Sequence, residues 1–361
     1  MKILVAMSGG VDSSVAAALL KEAGHEVVGV TLRLWGGESD SGCCSVSDVD
    51  DARRVAQQLG IDHLVFNFSD DFQRSVVDPY VLDHARGITP NPCIECNRHL
   101  KFDRLFDRAE ILGFDAVATG HHARVECIDG VWRLLRGHDS AKDQSYVVHV
   151  LDQRRLARCL FPVGTMTKAE VRDHAERLRL RTAHKPDSQD VCFITSSGGR
   201  ADFLRRRIEL HPAVVIDEDG ETLGEVEAVE LVTLGQRRGV AGGGGTKRFV
   251  VDVDVDSRRV VVGPESDLLV EHEIGVDAVW TDGEFEGDVI VQCSAHGEPR
   301  PGRVSRRSDD GIDHVVVEWE RPQRRISPGQ SLVFYDPVGE WVIGGATVTS
   351  TVTSTSPRST R

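Results

Sequence analysis

The sequence has no apolar run approaching the roughly 20 residues that a helix needs to cross a bilayer. Its first ten residues, MKILVAMSGG, lack the long apolar core and the cleavage site of a secretory signal, because the short apolar stretch runs straight into a glycine motif. Both absences predict a cytoplasmic protein with no membrane partner. Positive charge is scarce as well. The formal net charge is −14, which by itself counts against a partner rich in phosphate. Against that stand local basic clusters: Arg154-Arg155, Arg205-Arg206-Arg207, Arg237-Arg238, Arg306-Arg307 and Arg324-Arg325. They are the material for an RNA-binding face, or else plain solvated surface. A second CxxC is missing, which disfavours a four-cysteine zinc site. There is no long internal repeat.

What is present suggests more than one core. A chain of 361 residues exceeds what a single core usually supports, so two or three domains are expected. The first half alternates strand-like and helix-like segments. Strands are predicted over residues 2–7, 26–34, 63–68 and 115–120. Helices are predicted over 13–23, 49–59 and 96–112, with Gly24, Gly60 and Gly113 as stops and Asp48 or Ser47 as a cap. This alternation argues for an α/β fold with a parallel sheet covered on both faces. Ligands of such sheets bind at the carboxyl ends of the strands, where Ser8 and Gly120 fall. A hairpin about Asp129-Gly130 should follow over 123–135, then helices over 152–159 and 168–178. Beyond about Arg207 short β-rich runs dominate, which reads as one or two small β-domains or barrels. Residues 241–245 (AGGGG) form a flexible loop, and the Ser/Thr-rich tail from Thr347 is expected to fray.

The most informative string is Ser8-Gly9-Gly10-Val11-Asp12-Ser13-Ser14, at a strand–helix junction. Glycines there let backbone N–H groups approach phosphate oxygens, and the helix N-terminus adds positive potential. Ser8, Ser13 and Ser14 are donors; Asp12 is an acceptor suited to Mg²⁺ or to a helix cap. The lysine of γ-phosphate-cleaving loops is absent. The loop resembles that of the ATP pyrophosphatases, which release pyrophosphate and leave AMP on a substrate oxygen.

The eight cysteines are not expected to form a disulfide framework in a reducing compartment. Cys96 follows a stiff Asn91-Pro92 approach and is placed near a helix start, where the thiolate is favoured. Cys192 stands in a polar loop far along the chain. Two such thiols could converge, one carrying sulfur as a persulfide. Cys93, Cys96 and Cys192 together could instead hold a [4Fe–4S] cluster with an open iron. Cys43 and Cys44 read as loop residues near the nucleotide, and Cys127, Cys159 and Cys293 as packing residues.

Three segments now stand in order: the phosphate loop, NPxxxCN at Asn91–Asn97 and DSQxxCF at Asp187–Phe193. Further strings are TGHHAR from Thr119, KDQSY from Lys142, FPVG from Phe161, LGQRRG from Leu234, SPGQ from Ser327 and VFYD from Val333. Over nearly the whole chain the sequence closely resembles the tRNA-specific 2-thiouridylases, the MnmA/TrmU family of the ATP pyrophosphatase (PP-loop) superfamily. The resemblance implies a catalytic domain over 1–207 that includes a helical tRNA-binding segment, a small central β-rich domain over 208–270 and a C-terminal β-barrel over 271–361. It implies an enzyme that adenylates O2 of the anticodon wobble uridine with ATP and Mg²⁺, then replaces that oxygen with sulfur. Ala6, Met7, Ser8, Gly9, Gly10, Val11, Asp12 and Ser13 would cradle ATP, with Leu32 and Gly120 near the adenosine. Cys96 matches the nucleophile and Cys192 the persulfide carrier. Asn91, Pro92 and Cys93 match the segment beside the target base. His121, Lys142, Asp143, Gln144 and Gln330 match tRNA contacts. Sulfur would come from a partner protein such as a cysteine desulfurase or a relay.

Three positions depart from the family pattern. Cys93 stands where many members have an Asp thought of as an acid/base. The His-x-Gly stretch before Leu234 is missing. Ser294-Ala295 replaces an Arg–aromatic pair. Two other classes compete: a PP-loop enzyme of nitrogen chemistry, such as a glutamine-dependent amidotransferase or a lysidine-forming ligase, which needs no thiol pair, and a non-catalytic adenylate- or tRNA-binding protein.

Overall fold

The computed structural model describes residues 1–35, 46–187, 191–194, 198–240, 247–309 and 311–349. Cys43, Cys44, Ser188, Gln189, Asp190, the glycine run at 241–245 and the tail beyond Thr349 lie outside the described residues.

The strand β1 (Lys2–Ala6) is the middle of a five-stranded parallel sheet. The other strands of the sheet are β2 (Glu26–Arg33), β3 (Asp62–Asn67), β4 (Ala116–Ala118) and, after the hairpin β5 (Ala123–Ile128) and β6 (Val131–Arg136), β7 (Cys159–Leu160). The order is β3-β2-β1-β4-β7, and all four pairings are parallel. Successive side chains of β1 point to opposite faces. Ile3 and Val5 join one apolar cluster with α1 (Val11–Glu22), α2 (Val46–Leu59) and the helix Lys168–Arg177. Leu4 joins another with the helical stretches 69–85 and 92–111. With both faces covered, the run KILVA has to be apolar throughout, as a buried parallel strand requires.

Several local readings shift. α2 begins earlier than its apolar periodicity suggests, so Asp48 is no cap; it lies in the first turn and pairs with the Lys185 ammonium at 2.5 Å. The second helical stretch begins at Pro92, not at Cys96. Asn91 caps it, its side-chain oxygen accepting from the amides of Cys93 and Ile94. From Cys96 to Arg104 the helix widens into π turns before tightening again. Cys96 therefore stands in the second turn, and it is buried. A helix dipole fades beyond the first turn, so the electrostatic advantage expected for Cys96 belongs to Cys93, which is exposed.

A four-stranded sheet follows: β8 (Ala213–Ile216), β9 (Thr222–Val226), β10 (Phe249–Asp254) and β11 (Arg259–Gly263), in the order β10-β11-β8-β9. The last unit comprises β12 (Leu269–Trp280), β13 (Gly287–Gln292), β14 (Arg300–Asp309), β15 (Ile312–Arg324), β16 (Ser331–Tyr335) and β17 (Trp341–Val348). They run β12-β15-β14-β13-β16-β17, and β17 pairs back onto β12, which closes a six-stranded barrel around Val291, Val317, Leu332 and Phe334. The hairpin β5–β6, far earlier in the chain, adds itself to this barrel by pairing Leu135 with Trp341 and Leu134 with Val342. Its turn falls at Asp129 and Gly130, both at positive φ. Cys127 in this hairpin is exposed, not packed. It shares a face with buried Ala123 and half-buried Val125, but it stands near the tip of the hairpin, two residues before the turn, where the core no longer covers that face. Cys159, by contrast, is buried, and burial raises its thiol pKa far above the ordinary value.

Candidate active site

A cavity of about 500 Å³ opens at the carboxyl ends of β1, β2 and β4. Its floor is the phosphate loop. Ser8 N donates to Ser13 Oγ at 3.2 Å, and Ser14 Oγ donates to the Gly10 carbonyl at 2.7 Å. No side chain caps α1, so its positive end faces the cavity. Gly9 holds φ at +75°, and a Cβ there would lie 2.4 Å from the Asp48 carbonyl oxygen. A Cβ on Gly120 would lie 2.5 Å from Ser13 N. Both positions therefore require glycine, which lets β4 and α2 press against the loop.

Ala6, Met7, Ser8, Gly10, Val11, Asp12, Ser13, Leu32 and Gly120 line this end. His121, Lys142, Asp143, Gln144 and Cys192 line the rest, together with Ala295 and His296 from the barrel. Gly9, Asn91, Pro92, Cys93, Cys96 and Gln330 are outside the lining. Cys96 is linked to it nonetheless, because the neighbouring Asn97 donates from Nδ2 to the carbonyl of Val147, a lining residue, at 2.7 Å. Gln330 Nε2 donates to the Thr89 carbonyl at 2.7 Å, tying the barrel to the chain just ahead of Asn91.

Charge is concentrated where the loop meets the helix Lys168–Arg177. Lys168 Nζ lies 2.7 and 2.8 Å from the two Asp12 oxygens and 2.9 Å from Asp187. His122 Nε2 is 3.1 Å from Asp12. Lys142 and Arg172 complete the shell of Asp187, at 2.9 and 3.1 Å. Burial raises the Asp12 pKa, but hydrogen bonds from His122 and Lys168 outweigh it and hold the carboxyl below its ordinary value. The same contest, burial against Lys168 and Lys142, takes Asp187 down to about 2. Lys185 is lowered by burial and raised more by Asp48 and Asp51. His121 is half-buried, with Thr119 Oγ1 at 2.6 Å from Nδ1; desolvation, then the charges of Lys101 and His122, hold its pKa well below the ordinary value.

Two residues of the Lys142–Gln144 string serve the wall itself. Asp143 accepts from Arg136, from the amides of Gly137 and Ser145, and from Ser145 Oγ. Gln144 exchanges two hydrogen bonds with the backbone of His122. Cys192 sits in the turn 191–194, closed by the Ile194 amide on the Val191 carbonyl. The next residue, Phe193, is buried among Trp35, Phe72, Tyr80 and Phe203, with centroids 5.1–6.0 Å away. The turn thus presents a thiol to the cavity and an aromatic anchor to the core.

Comparison with known proteins decides the family. Residues 1–196 match the family described as the tRNA methyl transferase HUP domain, 201–264 the tRNA methyl transferase PRC-barrel domain and 274–348 the aminomethyltransferase beta-barrel domain. The tRNA-specific 2-thiouridylase MnmA of Chloroflexus aggregans is 47% identical over 95% of this chain and 97% of its own length. The chain belongs to the tRNA-specific 2-thiouridylase family. A 2-thiouridylase of Cutibacterium acnes is 44% identical over 97% of both chains. Among solved structures, a 4-thiouridine synthetase–RNA complex with bound ATP matches at TM-score 0.36 and 18% identity, over 53% of this chain and 44% of that one.

The phosphate loop and the two cysteines stand out in the sequence itself. The partners of Lys168, Lys185, His122 and Asn97 emerge only from the fold. Lys168 carried one local signal, the Thr167–Glu170 capping box that fixes it at a helix start. At least five of the eleven arginines in the basic clusters have acidic partners: Arg154 pairs with Glu110, Arg155 with Asp103 and Asp152, Arg205 with Asp202, Arg306 with Glu284 and Arg324 with Glu265. Among the described residues no three His, Cys, Asp or Glu side chains gather as metal ligands. Nor is any described helix long and apolar enough to cross a membrane.

Proposed function

We propose that the chain is an ATP-dependent tRNA sulfurtransferase that converts the anticodon wobble uridine to 2-thiouridine. The observation that carries this reading is the shared cavity: a phosphate loop without a lysine and the Cys192 thiol line the same space. A uracil C2 carbonyl is a poor electrophile with a poor leaving group, and adenylation of O2 cures both. The amides at the start of α1, with Ser8 and Ser13, hold the phosphates. Asp12 and Asp187 would hold a Mg²⁺ accompanying the nucleotide, which would supply charge neutralisation for pyrophosphate. The terminal sulfur of a Cys192 persulfide then attacks C2, and AMP departs with the former O2. The Cys96 thiolate attacks the Cys192 sulfur, and the electron pair of the S–S bond passes to the sulfur on C2. The products are a thiocarbonyl and a Cys96–Cys192 disulfide, which a cellular thiol must reduce.

In this reading Asn91, Pro92 and Cys93 flank a base splayed from the anticodon loop, and His121, Lys142, Gln144 and Gln330 face the RNA. Asp143, saturated by four internal donors, shapes that wall. A persulfide-bearing protein delivers the sulfur in the cytoplasm. The chain divides near residues 207 and 270. The test uses the full chain with MgATP, a persulfide donor and an unmodified tRNA transcript. Expected products are AMP, pyrophosphate and a tRNA in which one oxygen is exchanged for sulfur at the wobble position, by mass analysis. Release of ADP and phosphate would overturn the assignment.

A further inference from the structure

We propose that Lys168 supplies in space the cation that the phosphate loop lacks in sequence, binding the β- and γ-phosphates of ATP and stabilising pyrophosphate as it leaves. The proposal rests on the reading above that ATP is cleaved between its α- and β-phosphates. Ser8–Ser14 contains no lysine, so the loop offers only amides, hydroxyls and one carboxylate. Lys168 reaches it from the opposite wall. Its side chain is 13% exposed, its ammonium lies on Asp12 in the first turn of α1, and it lines the cavity.

Helix stability does not explain this lysine. It is the first residue of its helix, directly after the Thr167 cap, where the dipole disfavours a cation. Its ammonium is also an exchangeable partner. When it leaves, Asp12 keeps His122, and Asp187 keeps Lys142 and Arg172. Lys168 can therefore turn to a phosphate without stranding either carboxylate in a half-buried site, where an unpaired charge is costly. Lys185 is placed differently. It lines the same cavity, but its ammonium is held between two acids of α2, Asp48 and Asp51.

In the step concerned, uridine O2 forms a bond to the α-phosphorus while the bond from that phosphorus to the bridging oxygen breaks. The electron pair leaves with pyrophosphate, and the N3 proton is lost to solvent. Negative charge grows on the departing oxygen, and a fixed ammonium in a sheltered site stabilises that charge more than the ground state.

The test compares wild-type full chain with Lys168→Ala and Lys168→Arg. Inorganic pyrophosphate and AMP, each with Mg²⁺, serve as separate probes in calorimetry. Loss of one charge-assisted contact should weaken pyrophosphate binding about ten- to a hundredfold in Lys168→Ala while AMP stays within about twofold, and Lys168→Arg should retain most of the affinity. Pyrophosphate formation with tRNA should slow about 10²–10³-fold. The rate ratio between β,γ-difluoromethylene-ATP and the more basic β,γ-methylene-ATP should widen in Lys168→Ala, a change that a merely structural lysine would not produce. Unchanged pyrophosphate binding, an equal loss for AMP, or an unchanged analogue ratio overturns the proposal. Wild-type release of ADP would sink the adenylation reading instead, and the binding comparison of the two probes separates that failure from this one.

Discussion

The two ends of the cavity are built in opposite ways. The phosphate end comes chiefly from one unbroken segment, Ala6–Ser13, fixed by hydrogen bonds within it and by the close approaches of Gly120 and of the Asp48 carbonyl on α2. The thiol end is assembled from pieces far apart in the chain. Cys192 sits on a turn pinned by Phe193, and Cys96 on a helix tied through Asn97 to Val147. Gln330 of the barrel loop adds its bond to Thr89, just ahead of that helix. A nucleotide site of this kind depends on local backbone geometry. A sulfur site of this kind depends on packing of the whole molecule, so the two ends should fail separately.

The largest separation is expected from the cysteines themselves. Cys192→Ser should abolish thiolation while tRNA-dependent pyrophosphate release continues, because adenylation needs only the phosphate end and the base. Cys96→Ser should halt the same route later, at the persulfide-linked stage, visible by mass analysis of trapped enzyme–RNA species. Full thiolation by Cys192→Ser would end the two-thiol scheme.

Next comes Asp12→Ala at the opposite end. The sequence suggests Asp12 as a metal contact on a surface loop. In the fold it lies in the first turn of α1 between Lys168 and His122. Its loss should cut pyrophosphate release and thiolation together, by about 10²–10³-fold if one preorganised charge is removed. A quench assay that found thiolation reduced with pyrophosphate release intact would contradict the division of labour.

Phe193→Ala probes the anchor rather than the thiol. Emptying a buried aromatic site costs about 3–5 kcal/mol of stability, to be read from denaturant melts. Thiolation should fall more than pyrophosphate release, and alkylation of Cys192 should accelerate as the turn loosens. Equal losses in both reactions would mean that the aromatic cluster supports the whole catalytic half rather than the turn.

A pH titration adds a control from the barrel. Glu273 is buried on β12 and accepts from the Ile326 amide at 2.7 Å. Burial, opposed by that amide and by Arg325, lifts its pKa from 4.5 to about 7. The folded state then holds a proton that the unfolded chain has released, so stability falls as pH rises from about 4.5 to about 7 and levels off above. The full term is about 3 kcal/mol. Glu273→Gln should flatten that slope without altering the ratio of the two reactions. The smallest effect is expected at Cys127: exposed on β5, it should tolerate serine with no change in either activity.

Much of this was legible in the residues, for physical reasons that also mark the limit. KILVA followed by SGGVDSS encodes a buried parallel strand and a phosphate turn within a few bonds of each other. Asn91-Pro92 encodes a helix start, although the apolar periodicity drew attention to Cys96 and placed that start too late. Asp48 reads locally as a cap, and only the fold brings Lys185 to it. Cys127 reads as packing because it shares a face with Ala123 and Val125, but sequence does not say how far along a hairpin the cover extends. Arginine pairs read as a basic face because their acids, such as Glu284 and Glu265, belong to other segments. Lys168 was invisible as a partner of the loop because nothing near it in sequence mentions Asp12.

The hairpin β5–β6 deserves one mechanical consequence. It leaves the cavity wall at His122, joins the barrel through β17, and returns to the wall at Gly137, whose amide bonds Asp143. Arg136 fastens the return, its amide donating to the Glu340 carbonyl at 3.0 Å. Barrel and cavity are thereby clamped like the jaws of a caliper set to one gap. A strain applied to the barrel at β17 is therefore passed along the hairpin to both His122 and Gly137, so the two edges of the cavity wall move with the barrel rather than past it.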